Sequence, residues 1–236
     1  MNKKLLIAVI MGLVVGSLVF YVNSSLVESQ HVINNYNVLI EKPPVLESEA
    51  KAITLYEAWD ITQAFAREWS DDAALISLTS ADVDDPDATE PGQDSRRWLG
   101  QDGRRRSWQA VLTSPGLNKQ LFLQITDGVV VDALEDGIHD PGIPTLAGEP
   151  AMDSPEAIGQ AKSIKPNFSM SVGRGKGYHF ILQTTISGKP VLSVVGSHPV
   201  GDVQLPAVIE FDQKTGQPVN TQYYITNGGV SKWKDF

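Results

Sequence analysis

The feature that most constrains this chain is an uncharged run from Leu5 to Val22, LLIAVIMGLVVGSLVFYV, interrupted only by Gly12, Gly16 and Ser17. As a helix rising about 1.5 Å per residue it is about 27 Å long, close to the hydrocarbon thickness of a bilayer. Asn2-Lys3-Lys4 precede it, and the positive-inside bias then leaves the N-terminus in the cytoplasm and carries the rest across. The sequence thus predicts a signal-anchor: a single-pass transmembrane helix in the cell membrane, the bilayer as partner, and an extracytoplasmic C-terminal region. A cleaved signal peptide is the competing reading. Against it, the run exceeds the usual 7–15-residue apolar region, and no A-x-A-like site follows.

The 236-residue chain has no cysteine. Disulfides, thiolate-bound zinc, iron–sulfur clusters and a thiol nucleophile are therefore excluded together, and the fold must be held by its own core. Removing Lys3 and Lys4 from the 19 basic residues leaves 17 against 28 acidic ones, a net charge of −11 beyond the apolar run. Such a surface repels nucleic acid, so no nucleic-acid partner is expected.

Residues 23–52 read as a stalk or linker, in which Leu26, Val32, Ile33, Tyr36, Leu39 and Ile40 recur at loosely helical spacing until Pro43-Pro44. Thr54-Leu55-Tyr56-Glu57 has the form of a capping box. Ala58, Ile61, Phe65 and Trp69 follow at three- and four-residue spacing and predict one buried helical stripe. Extended segments are then expected over Ala73–Thr79 and Ser107–Thr113, and a hairpin over Leu121–Val131 turning at Asp127-Gly128. Glu135 to Pro150, rich in glycine and proline and without periodicity, reads as a linker. Asp153-Ser154-Pro155-Glu156 opens a second helix with stripe residues Ala157, Ile158, Ala161 and Ile164. Strands are expected over Tyr178–Ile186, Val191–Gly196, Ala207–Asp212 and Val219–Ile225, with turns at Ser187-Gly188-Lys189 and Lys214-Thr215-Gly216-Gln217. The predicted fold class is α+β: the transmembrane helix (1–22), then two helix-plus-antiparallel-sheet units over 53–136 and 152–236, joined by 137–151. The alternative is one continuous sheet shared by both halves.

Ser154-Pro155-Glu156-Ala157-Ile158-Gly159-Gln160-Ala161 and Val208-Ile209-Glu210-Phe211-Asp212-Gln213-Lys214-Thr215-Gly216-Gln217-Pro218-Val219 are similar to the PepSY pattern. That pattern is a helix opening, then strands, then a hairpin ending in D-x-x-T-G-x-V. The first unit resembles it in outline and lacks the Thr-Gly ending. The resemblance implies a small extracytoplasmic module that binds or restrains another protein, including a peptidase, without catalysis.

No motif assigns catalytic, cofactor-binding or metal residues. His31, His139, His179 and His198 show no metal spacing. The acidic loop Asp82–Asp94 fails as an EF-hand, with Asp87 where glycine is needed and Gln93 where glutamate is needed; it reads as a solvated charged loop, with a weak, irregular calcium site as the alternative. Arg96-Arg97 and Arg104-Arg105-Arg106 offer either partners for that loop or an anion site. Gly173-Arg174-Gly175-Lys176-Gly177 fails as a P-loop at Met170 and Gly177, and Gly196-Ser197-His198-Pro199 lacks the second glycine of a nucleophile elbow. The tryptophans read as core or edge packing, with Trp98 the one expected in a polar loop. The function expected is therefore a membrane-anchored, non-enzymatic module that binds or regulates another envelope protein. The alternatives are a structural or assembly subunit of an envelope complex, and a small hydrolase using His179 or His198.

Overall fold

The structure is a computed structural model. It describes residues 37–38, 51–81, 99–136, 139–171, 176–185, 187–227 and 230–235. The capping box at Thr54 is present: Thr54 Oγ1 accepts from the Glu57 amide at 3.3 Å, and Glu57 Oε2 accepts from the Thr54 amide at 2.8 Å. It starts α1, Leu55–Trp69. The stripe that α1 buries is Leu55, Ala58, Trp59, Thr62 and Ala66, rotated from the predicted one; Ile61, Phe65 and Trp69 pack at its margin. Asp153 caps α2, Ser154–Ile164, and proline stands in its first turn, where a missing amide hydrogen costs nothing.

Around these helices the chain forms β1 (Asn37–Val38), β2 (Ala74–Ala81), β3 (Ser107–Ser114), β4 (Lys119–Thr126) and β5 (Val129–Asp136) in the first half. The second half supplies β6 (His179–Thr184), β7 (Pro190–Val200), β8 (Val203–Asp212), β9 (Pro218–Asn227) and β10 (Val230–Asp235). Asp127 and Gly128 make the β4–β5 turn with φ of 53° and 79°, the left-handed conformation that a two-residue hairpin requires.

The predicted pair of separate sheets is corrected. All ten strands form one antiparallel sheet in the order β1-β5-β4-β3-β2-β6-β7-β8-β9-β10. The two meanders join where Ser77, Leu78 and Thr79 of β2 pair with Gln183, Leu182 and Ile181 of β6. Separate sheets would leave those backbone donors and acceptors as two open edges, and pairing them satisfies both. The seam is also apolar: Leu78 and Leu182 are fully buried in the single core that takes in Trp108 and Phe180, whose rings stack 6.1 Å apart. The segment expected as a linker packs on both halves. The Leu146 amide donates to Leu75 O at 2.7 Å, Gln213 Nε2 to Gly148 O at 2.6 Å, and the Tyr56 hydroxyl to Pro150 O at 2.9 Å.

The membrane expectations are corrected as well. Leu5–Val22 and the stalk up to Tyr36 lie outside the described residues, and among the described residues no helix is long and apolar enough to cross a membrane. Both described helices are amphipathic and spend their apolar stripes on the sheet, which is why neither suits a bilayer. Among the described residues the fold class is α+β, with two helices and a large antiparallel sheet. The transmembrane helix, the membrane as partner and the single-pass, extracytoplasmic localisation are not carried forward.

Candidate functional site

Strand register decides which side chains share a face, because successive residues point to opposite sides. On the helix side lie Leu75, Leu78, Trp108, Leu112, Leu121, Phe180, Leu192, Ile209 and Phe211, all buried. The other face of the sheet, the outer face, carries a different set. One row runs Leu134, Phe122, Val111, Ser77, Gln183, Val191, Asp212, and the next runs Asp132, Gln124, Gln109, Thr79, Ile181, Ser193, Glu210, Asn220. The second row is tied by hydrogen bonds: Gln109 Nε2 to Gln124 Oε1 at 3.0 Å, Ser193 Oγ to Glu210 Oε1 at 3.3 Å, and Asn220 Nδ2 to Glu210 Oε2 at 2.9 Å. Both helices pack on the opposite side. Exposure on the outer face is uneven: Ser107, Thr113, Val191, Ser193 and Ser197 are buried there, and at one corner the Thr113 hydroxyl meets His139 Nδ1 at 2.7 Å. Phe122 is 38% exposed there.

The same register separates the two histidines that lie on strands of the second half. His179 stands opposite Val195, so it shares the outer face with Val195 and Ser197, whereas His198, an odd step along an unbroken ladder, points to the helix side. The two histidines therefore occupy neighbouring strands and opposite faces. Ser197 cannot be activated by its neighbour for the same reason, and its hydroxyl is committed to Met170 O at 2.8 Å and Ser169 Oγ at 3.0 Å. Burial, aided by the positive charge of Lys165, holds the His198 imidazole below its usual value. His139 fixes the corner just described. Among the described residues no group of three or more potential ligands is placed to hold a metal ion. His31, the acidic loop 82–94, Arg96, Arg97, Trp98 and residues 173–175 lie outside the described residues.

The arginine run Arg104-Arg105-Arg106 does not make a basic patch. Arg104 reaches Glu57 on the surface at 3.4 Å, and Arg106 grips the hairpin-turn Asp127 with two bonds of 2.7 and 3.0 Å. Arg105 is 2% exposed and lies across the seam between the halves: its guanidinium donates to Ala81 O from one side and to Lys176 O and Tyr178 O from the other. Lys176 thereby serves through its backbone, and Gly177 pairs with Ser171. An open cleft of about 470 Å³ lies beside this point, lined by Leu99, Met170, Ser171, Lys176 and Gln204, and among the described residues no carboxylate or imidazole lines it.

Two turn carboxylates are held below the ordinary range. Asp72 accepts from the Ser114 hydroxyl at 2.5 Å, the Ser70 hydroxyl at 2.7 Å and the Gly116 amide at 2.5 Å, bonds that favour the ionised form. Asp212 is lowered first by the Thr215 hydroxyl and then by the Thr215 amide, each at 2.9 Å. The D-x-x-T-G sequence that supports the PepSY resemblance is thus a self-bonded turn between β8 and β9. What sequence reading missed is the Tyr224–Trp233 pair. It falls on the outer face because Tyr223, one residue away, faces the core. Only the position of β10, a strand not anticipated, discloses that pair.

No family model matches the chain, and no curated protein matches it. Among solved structures, one titled a "putative lipoprotein" from Clostridium difficile 630 superposes on 70% of this chain and 91% of its own, at 11% identity and a TM-score of 0.45. That likeness is one of outline.

Proposed function

We propose that the chain is a non-catalytic module that binds another protein through the outer face of its sheet. The observation that carries this reading is the asymmetry of the two faces. One is sealed by both helices, while the other, over β3 to β5, presents an exposed Phe122 beside half-buried Val111 and Leu134, bordered by Gln109, Gln124 and Asp132. An ordered, partly apolar surface with a hydrogen-bonding border has the composition of a protein interface. The PepSY resemblance fits this reading as a binding or restraining role. A hydrolase using His179 or His198 needs only one of them, so their placement on opposite faces excludes a site that uses both and leaves that alternative to direct assay.

A photo-crosslinking residue placed at 122 in the full-length protein, in its native cells, tests the reading. The expected result is one discrete adduct from position 122 and none from position 163, exposed on α2. An adduct from 163 with none from 122 would show that the helix side is the contact. A peptidase and ester panel, run on the protein and on His179→Ala and His198→Ala, tests the alternative: activity lost in either variant would overturn the non-catalytic reading.

A further inference from the structure

The ten strands contain three basic residues, Lys119, Lys232 and Lys234. Register places all three on the helix side. Lys119 lies two residues from buried Leu121 and pairs with Glu135, which also takes the Trp69 indole hydrogen at 2.8 Å. Lys232 and Lys234 flank Trp233 and stand opposite Ile225 and Tyr223, again on the side of the core. No outward strand position is therefore cationic among the described residues, while Asp132, Glu210, Asp212 and Asp235 are all outward. Lys189 and Lys214 stand in turns at one end of the second half.

The outward aromatic pair lies in the same half. Tyr224 and Trp233 are directly opposite on β9 and β10, with ring centroids 5.2 Å apart and planes inclined by 57°. The next outward row holds Gln222 and Asp235, joined at 3.1 Å, and the row after it Asn220 and Glu210. Rows along a strand repeat every ~6.8 Å, as do alternate side chains of an extended peptide. A cation over tyrosine or tryptophan gains from the ring quadrupole, and carboxylates one and two rows away reward further positive charge.

We infer that this part of the outer face docks an extended, basic segment of a protein partner, seating a Lys or Arg side chain on the Tyr224–Trp233 pair with Asp235 and Glu210 taking the charges that follow. The inference rests on the reading of the outer face as a binding surface and adds the chemistry of the partner. A second copy of this chain is a poor occupant, because two such faces would set carboxylate against carboxylate. Net charge acts in the same direction: at −9 the whole chain draws a basic partner by long-range attraction.

The test titrates the full-length protein, by calorimetry, with two synthetic peptides of equal length, one alternating Arg with Thr and one alternating Glu with Thr. The Arg peptide is expected to bind at one site, and to weaken as salt rises from about 0.05 M to about 0.3 M. Binding should fall about tenfold in Trp233→Ala. Asp235→Asn, a change at an exposed edge position that leaves the core untouched, should weaken it several-fold, and so guards against misfolding of the tryptophan variant. Equal binding of the Glu peptide, or unchanged binding in both variants, would overturn the inference. So would a dimer in sedimentation that Trp233→Ala abolishes, since the occupant would then be a second copy. An oligosaccharide that binds as well as the Arg peptide would likewise remove the cation from the argument. If crosslinking from position 122 succeeds while the Arg peptide fails, the outer face stands as an interface and only its proposed charge preference falls; if both fail, the wider reading falls with it.

Discussion

The two halves repeat one order of elements and finish it differently. In the first, a 15-residue helix precedes a meander whose outer face is apolar at Phe122, Val111 and Leu134; in the second, an 11-residue helix precedes strands whose outer face carries Tyr224, Trp233 and outward carboxylates. Their turn carboxylates differ in reach. Asp212 bonds residues two and three positions ahead, whereas Asp72 bonds Ser114 and Gly116, 42 and 44 residues away, and so ties the end of α1 to the β3–β4 turn. The same chemistry serves a local turn in one half and a long-range tie in the other.

The largest effect is expected from parting the halves. A fragment covering residues 152–236 loses β2 from the edge of β6, the seam contact of Leu182 with Leu78, and the Arg105 guanidinium from Lys176 O and Tyr178 O. It should be unfolded or aggregated by circular dichroism and sedimentation. A soluble, monomeric, cooperatively melting fragment would restore two independent domains and break the shared-sheet comparison.

A smaller change at the seam sharpens the same question. Leu78→Ala removes a fully buried side chain and should cost about 2–5 kcal/mol in denaturant unfolding. If the halves unfold together, signals from Trp108 in the first half and Tyr223 in the second will shift to one lower midpoint. Two separated transitions, with only the first-half signal displaced, would mean that the shared sheet does not couple them.

Much of this fold was legible because its signals are local. Thr54 and Glu57, Asp153 and Pro155, and Asp127-Gly128 each fix a boundary within a few residues, and the structure has all three features. The seam was not legible, since nothing in Ser77-Leu78-Thr79 names Ile181, Leu182 and Gln183 as its partners. The helix stripe was misplaced by the same limit: periodicity proposes a face, and packing against the sheet selects it, burying Trp59 and Ala66 in preference to Ile61 and Phe65. In the arginine run, adjacency suggested a patch, but strand geometry and burial sent Arg104, Arg105 and Arg106 to three separate tasks. The outer-face site was least legible. Its tyrosine and tryptophan are nine residues apart, and their meeting depends on the β9–β10 register.

The helix caps permit a finer comparison. Thr54→Ala and Asp153→Ala each remove an N-cap, and each should cost about 0.5–2 kcal/mol. Asp153 should stand at the upper end, because its Oδ1 accepts from the Ser154 amide at 2.7 Å and also from the Tyr56 amide of α1 at 3.0 Å. Ser154 continues the joint, accepting from the Leu55 amide and donating to Gly103 O. Gly103 has room for no side chain, since a Cβ there would lie 2.3 Å from the nitrogen of Pro155. Equal costs for the two caps would show that the joint between the helices adds nothing beyond ordinary capping.

The smallest effect expected is a difference in acid response, and it separates the halves by the type of group each holds. His198 lies opposite Leu205 with its ring 6.1 Å from Tyr223, and burial, then Lys165, keeps its folded pKa below the usual 6.5. Folding favours the neutral imidazole, so its contribution is complete above about pH 6.5 and is lost as pH falls through the folded value. Asp72 and Asp212 are also depressed, so their contributions are complete above the ordinary carboxylate value of 3.8 and are lost as pH falls further through their own folded values. The upper window is thus assigned to His198 in the second half, and the lower one to a turn carboxylate in each half. Denaturation midpoints followed from about pH 8 to about pH 3 should decline in two stages. His198→Gln should remove the first stage and leave the second, whereas Asp72→Asn should flatten part of the second and leave the first. A first stage that persists in His198→Gln would locate the proton uptake in another group and take from the second half the one titration that sets it apart.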